Sequence, residues 1–448
     1  MRPNQTALLD ESVPRYTSYP TAPHFHSGID AATFGLWLGE ITAEPISLYV
    51  HVPYCDRLCW FCACHTRMTR QYRPVAEYLQ ALYAEIETVG GLINGKSPVE
   101  ALHLGGGSPT MLRPEDLFAL STRLRAHFDF ASDAQISVEI EPNDMDEARF
   151  DALAGIGITR ASLGVQDFDP KVQTAINREQ SFELTARVVE AMRARGVRSV
   201  NLDLLYGLPY QTCESVAATL QQALSLRPDR VALFGYAHVP WFKKHQTMID
   251  EAALPVAAER LEQSQLAAAI AVAHGYRHIG LDHFALPGDS LAVAARDGRL
   301  RRNFQGYTDD RCTTLIGLGA SAVSSLPQGY AQNTTATADY ERAVLDSRLA
   351  TLRGIALSDD DRMRGWVIER LMCEFAFSQR ELTDRFGAAG GAVIAEAERI
   401  AGNDNEPLLE ECGEFFVVSP ERRPLVRSIA AKFDSYLPKG GARHSAAV

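Results

Sequence analysis

Positive charge is scarce in this sequence. Its 44 lysines and arginines face 56 aspartates and glutamates, a net charge of -12. That is the wrong sign for general affinity to nucleic acid. An anionic substrate would need a local basic patch. No apolar run is long enough to cross a bilayer; the longest, LAAAIAVA at 266–273, falls well short. The opening stretch MRPNQTALLDESVPRY lacks the apolar core of a signal peptide. We therefore expect a cytoplasmic protein with neither nucleic acid nor membrane as a partner. Cysteine is scarce too: eight occur in 448 residues, in a compartment where disulfides are rare. What remains is ordinary for a soluble chain. With 46% hydrophobic and 22% charged residues, it can bury one large core and a smaller one.

From residue 45 a short β-rich run, a loop and a helical pattern recur six times. ISLYVHV, VEALHLGGG, QISVEIEP, RASLGVQDF, SVNLDLLYGLP and RVALFGYAHVP are the strand-like runs. Pro74 and Pro114 open the first two helical patterns, and Ser181 and Gly196 read as the N-cap and C′ residues of the fourth. Repeated strand–helix units imply a parallel sheet with crossover helices. The expected fold is α/β: a partial (β/α)6 TIM-type barrel over 45–330, with a doubly wound sheet as the alternative. An N-terminal arm (1–44) precedes it. Residues 331–448 read as a mostly helical, winged-helix-like domain: helices, a hairpin in LLEECGEFFVV, a last helix in PERRPLVRSIAAKFDSYL and a disordered tail, PKGGARHSAAV. Residues 358–448 carry 12 basic against 16 acidic side chains, which opposes contact with phosphate.

Half of the cysteines fall within ten residues. Cys55, Cys59, Cys62 and Cys64 form C-x3-C-x2-C-x-C in the loop after the first strand-like run. Zinc is one reading, helped by His51 or His65, but structural zinc usually takes two pairs across a longer loop. Buried structural thiols are another, opposed by the polar neighbours Asp56, Arg57 and His65. The third is an iron–sulfur cluster, which closely spaced thiolates hold. Three ligands on a four-iron cubane leave one iron open to another molecule. Further signals collect at the strand ends. Gly105–Gly107 ends the second run, and Gly-rich turns admit close backbone approach. Glu139, Gln166, Asp203 and Tyr236–His238 stand at or near the ends of the next four. In β/α barrels that rim carries the active site, although any one of these could simply cap a helix or pair with an arginine.

The triplet with Phe61 before its third cysteine resembles the radical S-adenosylmethionine superfamily. PRYTSYPTAPHF, YVHVPYC, GVQDF with INREQ, NLDLLYGLP, GLDHFA and RNFQGYT extend the likeness over nearly the whole chain. Together they resemble the oxygen-independent coproporphyrinogen III oxidases. The resemblance implies that Cys55, Cys59 and Cys62 hold a [4Fe-4S] cluster. It implies that Tyr49, Gly106, Glu139 and Val323 contact the S-adenosyl-L-methionine bound to it, with Tyr49 and Glu139 close to the chemistry. A second S-adenosyl-L-methionine would meet Phe61, Gly107, Ser108, Gln166, Arg178, Asp203 and Ala237. Ser108 stands where threonine is commoner, and Cys64 is not expected to be a ligand.

The implied reaction turns two propionates of coproporphyrinogen III into vinyl groups with loss of carbon dioxide, giving protoporphyrinogen IX in heme biosynthesis. A 5′-deoxyadenosyl radical would start each conversion. An electron donor of the flavodoxin or ferredoxin type is implied, and a monomer is expected. Two other functions stay open. One is a heme chaperone of the same branch, whose relatives generally lack the fourth cysteine and the PRYTSYPT arm. The other is a zinc-stabilised interaction protein. The arm is a candidate lid or a simple packing element. RDGRLRRNFQGY (296–307), with four arginines and one aspartate, is the candidate patch for the substrate's carboxylates.

Overall fold

The β-rich runs become six parallel strands: β1 (Ile46–Val52), β2 (Pro98–Gly106), β3 (Asp129–Ile140), β4 (Arg160–Gln166), β5 (Ser199–Tyr206) and β6 (Arg230–Gly235). Each pairs with the next in parallel register. The computed structural model describes residues 11–93, 97–402 and 407–437. The expected tail, PKGGARHSAAV, and most of the opening stretch lie outside them. Crossover helices follow each strand: Arg73–Leu92, Pro114–His127, Glu147–Gly155, Phe182–Ala194, Cys213–Ser225 and Ala257–Ala273. Their ends obey local chemistry. Pro114 takes the first helical position, Ser181 accepts from the Leu184 amide, and Gly196 turns the chain at φ +89 after Ala194. In β1 six of seven residues are buried, as befits a parallel strand covered on both faces.

The sheet is larger than the six expected strands. After β6 come β7 (Arg277–Ile279), β8 (His283–Ala285), β9 (Thr314–Leu318), β10 (Val323–Leu326), β11 (Gly329–Asn333) and β12 (Thr351–Ala356). The order is β12-β11-β10-β9-β1-β2-β3-β4-β5-β6-β8-β7. β9 is parallel to β1, whereas β8 is antiparallel to β6. The ends do not meet, so this is a partial barrel. Residues 331–356, assigned from sequence to the C-terminal domain, extend this sheet. Their helix Thr337–Leu345 sends the Tyr340 hydroxyl onto Glu85 of the first crossover helix at 2.7 Å. Glu85 also accepts from the Gly319 amide and the Asn333 side chain, both at 2.6 Å.

The remaining chain forms a second core. Helices Asp359–Glu374, Gln379–Phe386 and Gly390–Ala401 pack with strands Ala376–Ser378, Glu410–Cys412 and Phe415–Val417, the expected winged-helix-like arrangement. The expected last helix breaks into short turns, Pro420–Leu425, Val426–Ala430 and Ala431–Phe433, with Pro424 inside the first. Tyr16 and Tyr19 of the arm belong to this core. The Tyr16 hydroxyl reaches Asp434 at 3.0 Å, and Arg427 donates to the carbonyls of Pro14 and Val13. The arm is thus a packed strap between module and barrel. It also holds a helix, Ala31–Gly39, that its sequence reading omitted.

The Glu85 cluster makes a testable prediction. Burial raises its carboxyl from 4.5 to about 7, against the pull of its three donors. Between those values the folded protein holds a proton that the unfolded chain has released. Stability from this group is therefore lost as pH rises through the window and is level above it. In Glu85→Gln that loss disappears. Thermal melts in a pH series should show the difference in Tm moving in the variant's favour up to about pH 7 and then staying constant.

Candidate functional site

At the C-terminal ends of β1 to β6 lies a cavity of about 450 Å³. Twelve of the fourteen site residues expected from sequence line it: Cys55, Cys59, Phe61, Cys62, Gly106, Gly107, Ser108, Glu139, Gln166, Arg178, Asp203 and Ala237. Tyr49 and Val323 do not. Tyr49 lies within β1, its hydroxyl 2.9 Å from His51 and its ring stacked on His103. Val323 opens β10, where its carbonyl presses under Gly317, the residue paired with Tyr49.

The cysteine loop has almost no regular structure, so its position comes from what grips it. Trp60 and Phe61 pack beside a small apolar cluster that includes Ile176 and Tyr236. The Trp60 amide donates to Ile176, and Asn177 donates to the Leu58 carbonyl at 2.9 Å. From the segment after β6, Lys243 bonds the Cys64 carbonyl, His245 the Cys62 carbonyl and Gln246 the Phe61 carbonyl. These grips were missed from sequence. Asn177 stood in the quoted INREQ motif, but His245 and Gln246 gave no local sign.

The thiols differ in character. Burial pushes Cys55 up to about 12. Burial also raises Cys59, partly offset by the Arg178 guanidinium 3.5 Å away. Cys62 is brought down to about 7, first by the Cys64 side chain and also by the Cys64 amide at 3.4 Å. Cys64 is thus a prop for Cys62. Arg178 pairs with Glu141 at 2.5 Å and donates to the Gly164 carbonyl at 2.6 Å. Glu141, just past the end of β3, also went unremarked.

The barrel interior is polar. Burial opposes the Glu139 charge, but His103 at 3.1 Å and the Gly106 amide at 3.1 Å hold its carboxyl below the usual value. Asp203 is raised by burial and accepts from Ser162 and Asn201, each at 2.7 Å. Gln166 has φ +69 beside a break in the β4–β5 register, a bulge at the end of β4. Backbone held in that region without glycine is typical of functional sites. The Ser108 hydroxyl is already bonded to Asp144 and Thr110.

These residues fit an iron–sulfur cluster with a nucleotide beside it. Four cysteines of one loop, Cys64 among them, open on one cavity, and a cation and an anionic carboxylate flank them. Among the described residues no three cysteine, histidine or acidic groups converge as a single metal ion requires. A multi-iron cluster takes its thiolates at separate corners. Gly106 and Gly107 pack too closely on the loop for any side chain: an added Cβ would meet His51 at 2.7 Å or the Tyr54 carbonyl at 2.5 Å. The buried Nε of Arg178 has no hydrogen-bond partner.

The four arginines of 296–307 are not one patch. Arg296 and Arg299 pair with Asp297, and Arg301 pairs with Glu369 at 3.0 Å. Arg302 alone turns inward, into a second cavity beside the first.

Comparison with known proteins agrees with this geometry. The Radical SAM superfamily model matches residues 49–223. The chain is 47% identical to the oxygen-independent coproporphyrinogen III oxidase of Bradyrhizobium diazoefficiens over 98% of both chains. It is 42% identical to that of Pseudomonas aeruginosa, over 96% of this chain and 94% of the relative. It superposes on the solved coproporphyrinogen III oxidase of Escherichia coli, described as a radical SAM enzyme, with a TM-score of 0.90. That match has 38% identity and covers 95% of this chain and all of the other. The chain therefore belongs to the oxygen-independent coproporphyrinogen III oxidases, within the radical S-adenosylmethionine superfamily.

Proposed function

We propose that the protein is an oxidoreductase that decarboxylates two propionates of coproporphyrinogen III to vinyl groups without oxygen, yielding protoporphyrinogen IX. One observation carries the reading: the Cys55–Cys62 loop and the strand-end residues of a coproporphyrinogen oxidase chain face a single cavity. The [4Fe-4S] cluster and S-adenosylmethionine, when bound there, supply the hydrogen-abstracting radical. Cys55, Cys59 and Cys62 hold the cluster, and Arg178 offsets negative charge at Cys59. Glu139, kept anionic by His103 and the Gly106 amide, faces the cationic groups of the nucleotide.

Tyr49 of β1, within electrostatic reach of Glu139 and Cys64, and Val323 of β10 would contact the cluster-bound S-adenosylmethionine together with Gly106 and Glu139. Phe61, Gly107, Ser108, Gln166, Arg178, Asp203 and Ala237, which all line the cavity, would contact a second S-adenosylmethionine. Closing such a site keeps water from a reactive radical, and the strapped arm contributes to that cover. A flavodoxin- or ferredoxin-type protein donates the electrons, and the enzyme works as a cytoplasmic monomer. Among the described residues no helix is long and apolar enough to cross a membrane.

The deciding experiment is anaerobic incubation with S-adenosylmethionine, a reductant and coproporphyrinogen III. Protoporphyrinogen IX and carbon dioxide should appear together; heme binding without either product would favour a chaperone. Alanine at Cys55, Cys59 or Cys62 should abolish the cluster's visible absorption and lower bound iron. Cys64→Ala should keep both.

In protein freed of iron, the shifted thiols predict an order of alkylation. At pH 7.5 Cys62 should react with iodoacetamide first and Cys55 last among the three, because the thiolate is the nucleophile. Peptide mapping over a time course would read that order. A faster Cys55 would contradict it.

A further inference from the structure

Beside the reaction cavity lies another, of about 310 Å³, between the barrel, the arm and the C-terminal module. The two share Arg15 and Gly235, and the Arg15 guanidinium donates to the Gly235 carbonyl at 2.7 Å. Five arginines from four separate segments line it: Arg15 of the arm, Arg260 of the last crossover helix, Arg302, and Arg423 and Arg427 of the module. Its only acids are Asp282 and Glu421. Asp282 is bonded to His283, and Glu421 accepts from Ser419. This is a strongly cationic pocket in a protein whose net charge is -12.

Asp282 is the acid that pulls on Arg15, Arg302 and Arg427, so the cations outnumber their counter-ions. Arg15, Arg260 and Arg302 donate to backbone carbonyls of Gly235, Tyr236 and Arg15. Among the described residues, no carboxylate makes an ion pair with any of the three. Buried Nε of Arg260 and Nη1 of Arg302 have no hydrogen-bond partner. Burial holds the Arg15 and Arg260 charges below their usual range, and burial with the nearby Arg15 brings Arg427 down to about 9. Crowded cations with spare donors suit planar anions, since guanidinium forks match carboxylates.

The reaction consumes two of the four propionates of coproporphyrinogen III and leaves two carboxylates that must stay anchored. We propose that the arginine cavity binds those surviving propionate carboxylates and so presents the reactive ones across Arg15 to the cluster side. A cavity of this size takes one edge of a tetrapyrrole, not the whole ring. The inference rests on the coproporphyrinogen reading and names the residues that position that substrate.

Coproporphyrin III, the oxidised and unreactive relative of the substrate, is the probe, read by its fluorescence on titration with the cluster-loaded enzyme. The free acid should bind and its tetramethyl ester should not. Arg260→Gln and Arg302→Gln should each weaken binding by about tenfold or more, the scale of a lost charge-assisted hydrogen bond. In turnover both should raise KM while kcat stays within about twofold. Arg302→Lys should recover part of the affinity, having charge but no fork.

Arg423 is exposed and lies over the Phe375 ring, so Arg423→Gln tests the cavity with little risk to folding. It should also weaken the acid. Arg296→Gln, exposed and paired with Asp297, should change nothing. Equal binding of acid and ester, or unchanged affinity in the three cavity variants to glutamine, overturns the proposal. The two readings fail differently. Arginine-dependent binding without carbon dioxide release by the wild type sinks the assigned reaction alone. Normal turnover with KM unmoved in the variants sinks the carboxylate site alone.

Discussion

Parallel pairing is the constraint on which this molecule is built. Because β1 to β6 run the same way, each loop that follows one opens on the same rim. The thiols come from the first of those loops; Gly106 and Glu139 stand at the ends of β2 and β3, with Gly107 and Glu141 just past them. None of these segments is near the others in sequence. Alternation along each strand then sends every second side chain inward, so His103 meets Glu139, and Ser162, Asn201 and Asp203 bond among themselves inside the barrel. A polar interior of this kind is costly unless its groups are bonded, which ties the geometry of the rim to the stability of the sheet.

A six-stranded parallel sheet does not close on itself. Past β6 the chain reverses into β8, and the gap this leaves is covered by the arm and the C-terminal module. The two covers depend on each other: Tyr16 and Tyr19 complete the module's core, and Arg427 fixes the strap through Pro14 and Val13. The same closure lays Arg15 against Gly235 at the end of β6. Sealing the barrel and assembling the cationic cavity are therefore one packing event. A change that frees the arm would alter both.

The six strand–helix units were legible because each signal is local. A strand buried on both faces, a proline in the first turn, a serine N-cap and a C′ glycine all lie within a few residues of the structure they dictate. Strands β7 to β12 were not legible. They are three to six residues long, and their pairing is fixed by neighbours far along the chain. The site divides the same way. The cysteine spacing and the strand-end polar residues could be read directly, and the family likeness named further positions. The grip of His245 on the Cys62 carbonyl spans 183 residues and leaves no local trace. The basic run at 296–307 was visible, but which arginine was free depended on Glu369, far along the chain from Arg301.

The arginines at the two ends of the barrel show why that distinction matters. Arg160 and Arg230 open β4 and β6 at the far rim, where Asp309 meets Arg160 at 2.9 Å and Asp289 meets Arg230 at 2.6 Å. Their carboxylates are supplied by the fold, so the charges are matched before any ligand arrives. Arg15, Arg260 and Arg302 are half-buried at the opposite end, bonded to carbonyls, with the Tyr307 ring under Arg302 and Asp282 as the nearby carboxylate. Cations that outnumber their counter-ions in a partly dry site are costly, which the rest of the chain must offset. At one end the protein builds the pair into itself. At the other, five arginines face two acids, and the proposed carboxylates would redress that balance beside the cavity where the chemistry takes place.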